Sequence, residues 1–480
     1  MGIFFKHKII TSNYRIILIS FIGFALNYLL NLALMRWLMP EIFGLIAVIV
    51  STIDMMSLID ALRFDQLFYN RPEENRGIEN FNYLLMRSLN IPLILILSVP
   101  FYFISHPDRS VGPIFWVFMA LLIFNKFLLI MLSLFSLEST KKWKRYRFEG
   151  ISTLIGIMGS LVALMMAYCG FSYWSLIVKY MLSSFIIVVY MAWKYPLNLK
   201  FRVDWSICRW YLSKGKKLFI NNLVSLLSGR LDDLVIGYGI SQAILGVYSK
   251  AFHFVRLPIE LFTNVMLANN YPLLIKHRYN SDKIMQIIKV LVDLNVIVVG
   301  AIMVNLLLVL YYLIHVFFGS TWASIYPLSI GLMFLSFGKP FLDVIYNYMI
   351  IVEKFRTINL IYIWYGIIEL LLIGAGFLFF GYWGVTIAQS LAMMGAILII
   401  HGYTEFSLKL IRNIFGVYGV VLAGFIIINY FNLQPITLHQ LIISIACANI
   451  MYIIIIYLIM HDGLIKIINI LRTGQWNSIE

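Results

Sequence analysis

PIFWVFMALLIFNKFLLIMLSLFSLESTKKWKRYRFEGISTLIGIMGSLVALMMAYCGFSYWSLIVKY, residues 113–180, decides the fold. It holds two long apolar runs and the start of a third. An apolar helix needs about twenty residues to cross the hydrocarbon core at about 1.5 Å per residue. The first link, KKWKRYR at 141–147, is strongly basic, and the second, GFS near 170, is short and uncharged. Worked outward in both directions, the same alternation runs through the chain. Fourteen apolar segments emerge, near 15–38, 42–66, 82–104, 113–136, 149–169, 173–193, 217–238, 246–270, 289–315, 326–350, 358–380, 383–403, 414–431 and 439–460. Every second link collects Lys and Arg, and among the other links only Arg109 is a clear exception. Anionic lipid and the insertion machinery keep basic loops in the cytoplasm. The pattern therefore predicts an all-α polytopic membrane protein with both termini cytoplasmic.

Composition agrees. The 480 residues are 61% hydrophobic and 12% charged, with mean hydropathy +0.89. A soluble domain carries about 25% charged residues. The net charge of +15 reads as loop charge, not as a nucleic-acid footprint. Cys169, Cys208 and Cys447 are too few and too scattered for a disulfide framework or a metal site. The basic start (Lys6, Lys8, Arg15) runs into an apolar segment without a small-residue cleavage site, which reads as an uncleaved first helix. The external links are tight: LMPE near 38, GFS near 170, GYGISQA near 237, GSTWAS near 319 and GY near 381. Trp116, Trp174, Trp322 and Trp383 fall near them, as an interfacial aromatic belt requires.

The chain also repeats itself. RWLMPEIFGLIAV at 36–48 matches GYGISQAILGVYS at 237–249, aligning Gly44 with Gly246 at an offset of 202. SYWSLIVKY at 172–180 matches GYWGVTIAQ at 381–389 at an offset of 209. The basic turn around Lys144 falls opposite the one around Lys354 at an offset of 210. Helices 1–6 then repeat as helices 7–12. An even helix number per copy makes the repeat parallel, with its axis along the membrane normal. The predicted plan is a six-helix lobe at 1–193, a basic cytoplasmic connector at 194–216, a second six-helix lobe at 217–403, and an appended helix pair with a cytoplasmic tail at 404–480. The two lobes are expected to enclose a central cavity.

Charges inside the segments point to that cavity. Asp54, Lys126, Arg256, Lys339 and Glu369 lie near segment centres. Facing lipid, five such charges would cost on the order of 12–17 kcal/mol. Arg230, Asp232 and Asp233 lie in the outer half of segment 7, and Asp60 and Arg63 in the inner half of segment 2. Asp54 aligns with Arg256 in the repeat, and Lys126 falls within one turn of Lys339. Local pairing is the competing reading. Asp60–Arg63, Arg230–Asp233, Arg256–Glu260 and Lys339–Asp343 are three or four residues apart on one helix face. Lys126 has no acid within four positions. Lys179 and Lys250 lie near segment ends, where snorkelling to the interface accounts for them. Pro258, beside Arg256, is a hinge or a fixed kink. Gly156, Gly159, Gly374 and Gly376 suit close helix packing.

Enzyme and ATPase signatures are missing from the sequence: there is no P-loop, no HExxH and no nucleophile elbow. His253 and His315 are isolated from any ligand set, so no metal and no cofactor is expected.

At this point a family pattern stands out. RLDDLVIGYGISQAILGVYSKAF at 230–252, FFGSTWASIYPL at 317–328, MRWLMPEIFGLIAV at 35–48 and GFSYWSLIV at 170–178 resemble the Wzx-type flippases of O-antigen and exopolysaccharide units. These belong to the superfamily that includes the multidrug and toxin extruders. The resemblance covers most of the chain. It implies movement of an undecaprenyl-diphosphate-linked oligosaccharide across the bacterial inner membrane by alternating access, on the two-lobed extruder fold. It also implies a lipid-linked substrate and membrane lipids as partners, with polysaccharide polymerase and chain-length machinery downstream, and no nucleic acid. Lys126, Arg256, Lys339 and Arg230 would then hold the diphosphate or acidic sugars, and Asp54, Glu369, Asp232 or Asp233 would couple transport to an ion gradient. Two other readings are a cation-coupled drug extruder on the same fold and a membrane polysaccharide polymerase or acyltransferase.

Overall fold

Where the apolar segments meet polar or glycine-bearing positions, the helices break. A computed structural model describes residues 22–23, 25–68, 75–105, 113–141, 145–403 and 408–473. Arg109, Lys142 to Lys144 of the basic turn, Lys6, Lys8 and Arg15 lie outside the described residues. Among the described residues all regular structure is helical. Eight helices there are long and apolar enough to cross a membrane, or nine if one bent pair counts as a single span.

The chain divides into two compact units, residues 1–246 and 247–480. The first opens with α1 (Ala25–Leu34). Helix α2 (Pro40–Met56) starts with Pro at its first position, where the missing N–H has no partner to lose. It stops where the Ser57 hydroxyl folds back onto the Ile53 carbonyl at 2.7 Å. A 3₁₀ turn follows at Leu58–Leu62, closed by Arg63 in the left-handed region (φ 50°), and then the short α3 (Phe64–Phe68). Next come α4 (Arg76–Ser88), α5 (Asn90–Ser105), α6 (Pro113–Lys141), α7 (Arg145–Tyr168) and α8 (Ser172–Lys194). Residues 195–204 form neither helix nor strand. Helix α9 (Trp205–Ser228) is capped by Asp204, whose carboxylate accepts from the Ser206 amide at 2.9 Å and hydroxyl at 2.6 Å. Those bonds hold the Asp204 carboxyl below the usual carboxylate range. Helix α10 (Leu231–Gly239) lies against α2, and α11 (Gln242–Pro258) begins at the end of this unit.

In the second unit, α11 passes at Pro258 into a π-helical turn, Ile259–Thr263, and continues as α12 (Asn264–Lys276). The long α13 (Ser281–Leu313), capped by Asn280, packs on α15 (Phe334–Ile351), α17 (Leu408–Tyr430) and α18 (Leu438–Thr473). The short α14 (Ile325–Leu332) meets α15 at a 46° bend. Helix α16 (Phe355–Tyr403) is two arms, broken at Gly381 (φ 58°, ψ −139°). A Cβ on Gly376 would lie 2.5 Å from the Gly384 carbonyl oxygen, and a Cβ on Gly384 would collide with the Gly376 oxygen. Residues eight apart on a straight helix are about 12 Å apart. The arms therefore fold back on each other, and two glycines let the backbones touch.

Other expectations divide. Gly159 packs against Ser183 as a small residue should, whereas a Cβ on Gly374 would meet nothing within 4 Å. Trp174 and Trp383 are exposed, but Trp322 is fully buried and belongs to the core, not to an interfacial belt. Lys179 does not snorkel. It donates to the Asn31 side chain inside the first unit.

Candidate functional site

The break after α2 assembles the charged cluster of the first unit. On an unbroken helix, residues six apart point about 120° away from each other. The 3₁₀ turn removes that difference, and Asp54 and Asp60 both reach one ammonium group. Lys126 Nζ on α6 lies 3.2 Å from Asp54 Oδ1 and 3.0 Å from Asp60 Oδ2, with 14% of its side chain exposed. Arg230 Nη2 donates to Asp54 Oδ2 at 2.8 Å, and its Nη1 is 3.6 Å from Asp233 Oδ2. The Ser51 hydroxyl donates to Asp233 at 2.7 Å. On the far side, Arg87 Nη2 and the Asn90 amide donate to Asp60 Oδ1 at 2.8 and 2.9 Å. Arg87 Nη1 donates to the Tyr83 hydroxyl, which shares a hydrogen bond with Ser133.

Signs alternate along this chain: Asp233, Arg230, Asp54, Lys126, Asp60, Arg87. Each interior member touches an opposite charge on both sides. Three carboxylates and three cations sum to zero. Asp232 is buried on the same helical turn as Asp233. Both acids sit in the first turn of α10, where the helix dipole favours negative charge. The network is most open at Arg230, whose side chain is 37% exposed.

The second unit holds a smaller cluster. Lys339 Nζ on α15 lies 2.7 Å from Asp343 Oδ1, one turn along the same helix, yet 43% of the lysine side chain stays exposed. Arg256, exposed near the end of α11, sits over the Phe252 ring at 5.7 Å. Its charge and that of Lys339 are close enough to interact, as is the Tyr362 hydroxyl with Lys339. Tyr362 packs edge-on to Tyr346 at 5.6 Å. Lys339 and its carboxylate thus sit close to a second cation and beside tyrosine. Pro258 lies where α11 gives way to the π-helical turn. Glu369, on the first arm of α16, is buried and accepts from the Tyr365 hydroxyl at 3.3 Å.

Sequence reading found two of these pairs, Arg230–Asp233 and Lys339–Asp343. It paired Asp60 with Arg63, but Arg63 lies 3.7 Å from Asp65 while Asp60 holds Arg87 and Lys126. It missed Arg87 and Asn90, which lie inside the segment at 82–104 with no acid within four positions to suggest a partner. The side chain of Glu260 lies outside the described residues. Among the described residues no group of three His, Cys, Asp or Glu could hold a metal ion.

Apolar broken helices with charge clusters built inside them define a polytopic membrane protein. Solved structures share this fold. A lipid II flippase MurJ in an inward closed conformation matches with TM-score 0.70 over 93% of this chain and 99% of that one, at 15% identity. An outward-facing multidrug resistance MATE transporter of the MOP superfamily matches with TM-score 0.50 over 82% and 94%, at 17% identity. The succinoglycan biosynthesis transport protein ExoT of Rhizobium meliloti (strain 1021) is 22% identical over 338 residues, covering 69% of this chain and 67% of that protein. Residues 33–327 match the model of a family described as polysaccharide biosynthesis protein, and the chain belongs to that family. With its apolar helices it is a multi-pass membrane protein of that polysaccharide biosynthesis family.

Proposed function

We propose that the protein flips an undecaprenyl-diphosphate-linked oligosaccharide, the repeat unit of an exopolysaccharide, capsule or O-antigen, across the bacterial inner membrane by alternating access. Both termini face the cytoplasm in this reading, and the lobes at 1–193 and 217–403 move about the connector at 194–216. One observation carries it: Lys339 keeps nearly half of its side chain accessible beside Arg256, although Asp343 is already at 2.7 Å. A diphosphate accepts charge-assisted hydrogen bonds from such cations, and these strengthen where water is excluded. Arg230, at the open end of the first-unit network, is that unit's candidate cation for the substrate. Lys126 serves differently: held by two carboxylates, it sets the spacing of Asp54 and Asp60.

Coupling to a proton or Na⁺ gradient would act at Asp54, with Asp232, Asp233 and Glu369 as the other candidate carriers. Asp54 bridges Lys126 and Arg230. Neutralising that one carboxylate breaks two ion pairs and leaves Arg230 with Asp233 alone, freeing one face of its guanidinium for the substrate. Pro258 is the proposed hinge, next to the π-helical turn.

The test is complementation of surface polysaccharide in a host lacking its own flippase. With expression confirmed, Lys339→Ala lowers polymer about tenfold or more, the cost of one charged hydrogen bond, and Lys339→Arg restores it. Wild-type polymer from Lys339→Ala and Arg256→Ala alike removes both residues from the pathway. Drug resistance without polymer would assign the fold to extrusion.

A further inference from the structure

Lys179 lies outside both charged clusters. It stands on the third turn of α8, a helix long and apolar enough to cross the membrane. Its ammonium donates to Asn31 Oδ1 on α1. Among the described residues it makes no other hydrogen bond, and no carboxylate or second cation is close enough to act on it. Helices α1, α7 and α8 close around this bond. Gly23, Asn27 and Asn31 are spaced four apart, on one helix face. The Ser160 hydroxyl on α7 donates to Asn27 Oδ1 at 2.9 Å. Asn27 Nδ2 donates to the Gly23 carbonyl at 3.1 Å, and Asn31 Nδ2 to the Asn27 carbonyl at 2.9 Å. Gly156 faces Asn27 and Gly159 faces Ser183 on α8, so small residues bring the helices together. Both side-chain carbonyls of this track are thus occupied, Asn27 by Ser160 and Asn31 by Lys179. Donors remain. An ammonium has three N–H groups and a side-chain amide two, so Lys179 keeps two and each asparagine one. Lys179 and Asn31 are both partly exposed.

A positive charge held by a neutral amide, with further donors beside it, suits an anion. Charges within a membrane span mark functional positions, because their cost must be met by a partner. Helix packing does not demand this one. The repeat that aligns 172–180 with 381–389 sets Lys179 opposite Ala388, a buried alanine in the second unit. Tyr180, the next residue of α8, is near enough to Arg230 for that charge to act on its hydroxyl. Helix α8 therefore runs past the open end of the charged network. We propose that Lys179 and Asn31 form an anion-binding subsite that takes a phosphate oxygen of the lipid-linked substrate. The choice of substrate rests on the flippase reading; the anion chemistry does not. A phosphate oxygen seated there accepts from ammonium and amide together, and such charge-assisted bonds strengthen where water is excluded. Asn31 keeps the ammonium aimed without neutralising it, which an acidic residue in its place would do.

Asn31→Asp is the decisive variant. The full chain in detergent is titrated with undecaprenyl diphosphate by native mass spectrometry, and its thermal melting is followed in parallel. Lys179→Ala weakens binding about tenfold, the loss of one charge-assisted hydrogen bond, and Lys179→Arg keeps most of the affinity. Asn31→Asp retains the bond to Lys179 and the melting temperature but sets a carboxylate against the ammonium, so it weakens binding as far as Lys179→Ala does. A lysine that only pins α8 to α1 predicts the reverse: Asn31→Asp would tighten the pin and bind as the wild type does. Wild-type affinity in Asn31→Asp, or in folded Lys179→Ala, overturns the proposal. Phosphatidylglycerol binding as tightly, and losing as much in both variants, overturns the substrate assignment in favour of a bulk-lipid phosphate. Lys339→Ala separates the subsite from the reading it rests on. If Lys339→Ala weakens binding while the Lys179 and Asn31 variants do not, the subsite falls and the flippase reading stands. If the chain binds inorganic diphosphate through Lys179 but ignores undecaprenyl diphosphate, the flippase reading falls and the anion site stands.

Discussion

The network around Lys126 and the pair around Lys339 are built from the same residue types and differ in how far their lysines are exposed and in how many carboxylates hold them. In the first unit three cations and three carboxylates alternate, and every interior member is held from two sides. In the second, Lys339 holds Asp343 one turn along its own helix, and the lysine is three times as exposed as Lys126. A balanced chain fixes helices to one another. An exposed ammonium leaves donor positions available to a ligand. Lys126 and Lys339, which the repeat read from the sequence places within one turn of equivalence, thus sit in different surroundings.

The sharpest way to break the comparison is to unbalance the first unit. Asp60→Ala leaves Arg87 and Lys126 without their shared carboxylate. Removing one partner of a buried ion pair costs about 3–5 kcal/mol. The expected result is a large fall in folded yield and in melting temperature in detergent. Asp343→Ala in the second unit removes a partner of the same kind from a more exposed lysine and leaves folded yield within about twofold, since partly exposed pairs contribute little to stability. Equal losses in the two variants would mean that both clusters are structural.

What could be read beforehand follows from range. Pairs on one helix face, Lys339–Asp343 and Arg230–Asp233, have a period and were visible. Lys126–Asp54 spans 72 residues and Arg230–Asp54 spans 176, and no local pattern carries such contacts. The helices were legible because apolar runs of membrane length admit little else. Their breaks were only partly so. Gly170, Gly319 and Gly381 mark turns with positive φ where tight links were expected. The 3₁₀ turn at Leu58–Leu62, on which the whole first cluster depends, sits in a run without Gly or Pro. Tertiary ion pairs stabilise that break, so local propensity gives no sign of it.

A smaller effect separates packing from charge. Gly384→Val drives a side chain into the backbone at Gly376 where the arms of α16 meet. Overpacking of this kind costs about 1–3 kcal/mol. Thermal melting should fall while lipid and substrate affinities stay put, because no charged group moves. The second arm also carries the Ser390 hydroxyl that donates to the Gly331 carbonyl at 2.6 Å. A Gly384→Ala variant, with a smaller side chain, should lose less. If valine lowers transport without lowering stability, the hairpin belongs to the moving parts.

The smallest expected effect on stability is also the most discriminating. Arg230 is part of the balanced chain, yet it is the member most exposed. Arg230→Ala leaves Asp54 with Lys126 and Asp233 with Ser51, so each carboxylate keeps a partner. Partly exposed ion pairs contribute about 1 kcal/mol or less. Melting should therefore shift little, in contrast to Asp60→Ala. Polymer output should nevertheless fall if Arg230 is the first-unit contact for the diphosphate, and Arg230→Lys should recover part of it, lacking the bidentate geometry. A variant that melts early and transports normally places Arg230 with Arg87 and Lys126 among the structural cations. Recognition by the charged clusters would then rest on Arg256 and Lys339, and the division between a balanced network and a receptive pair would be complete.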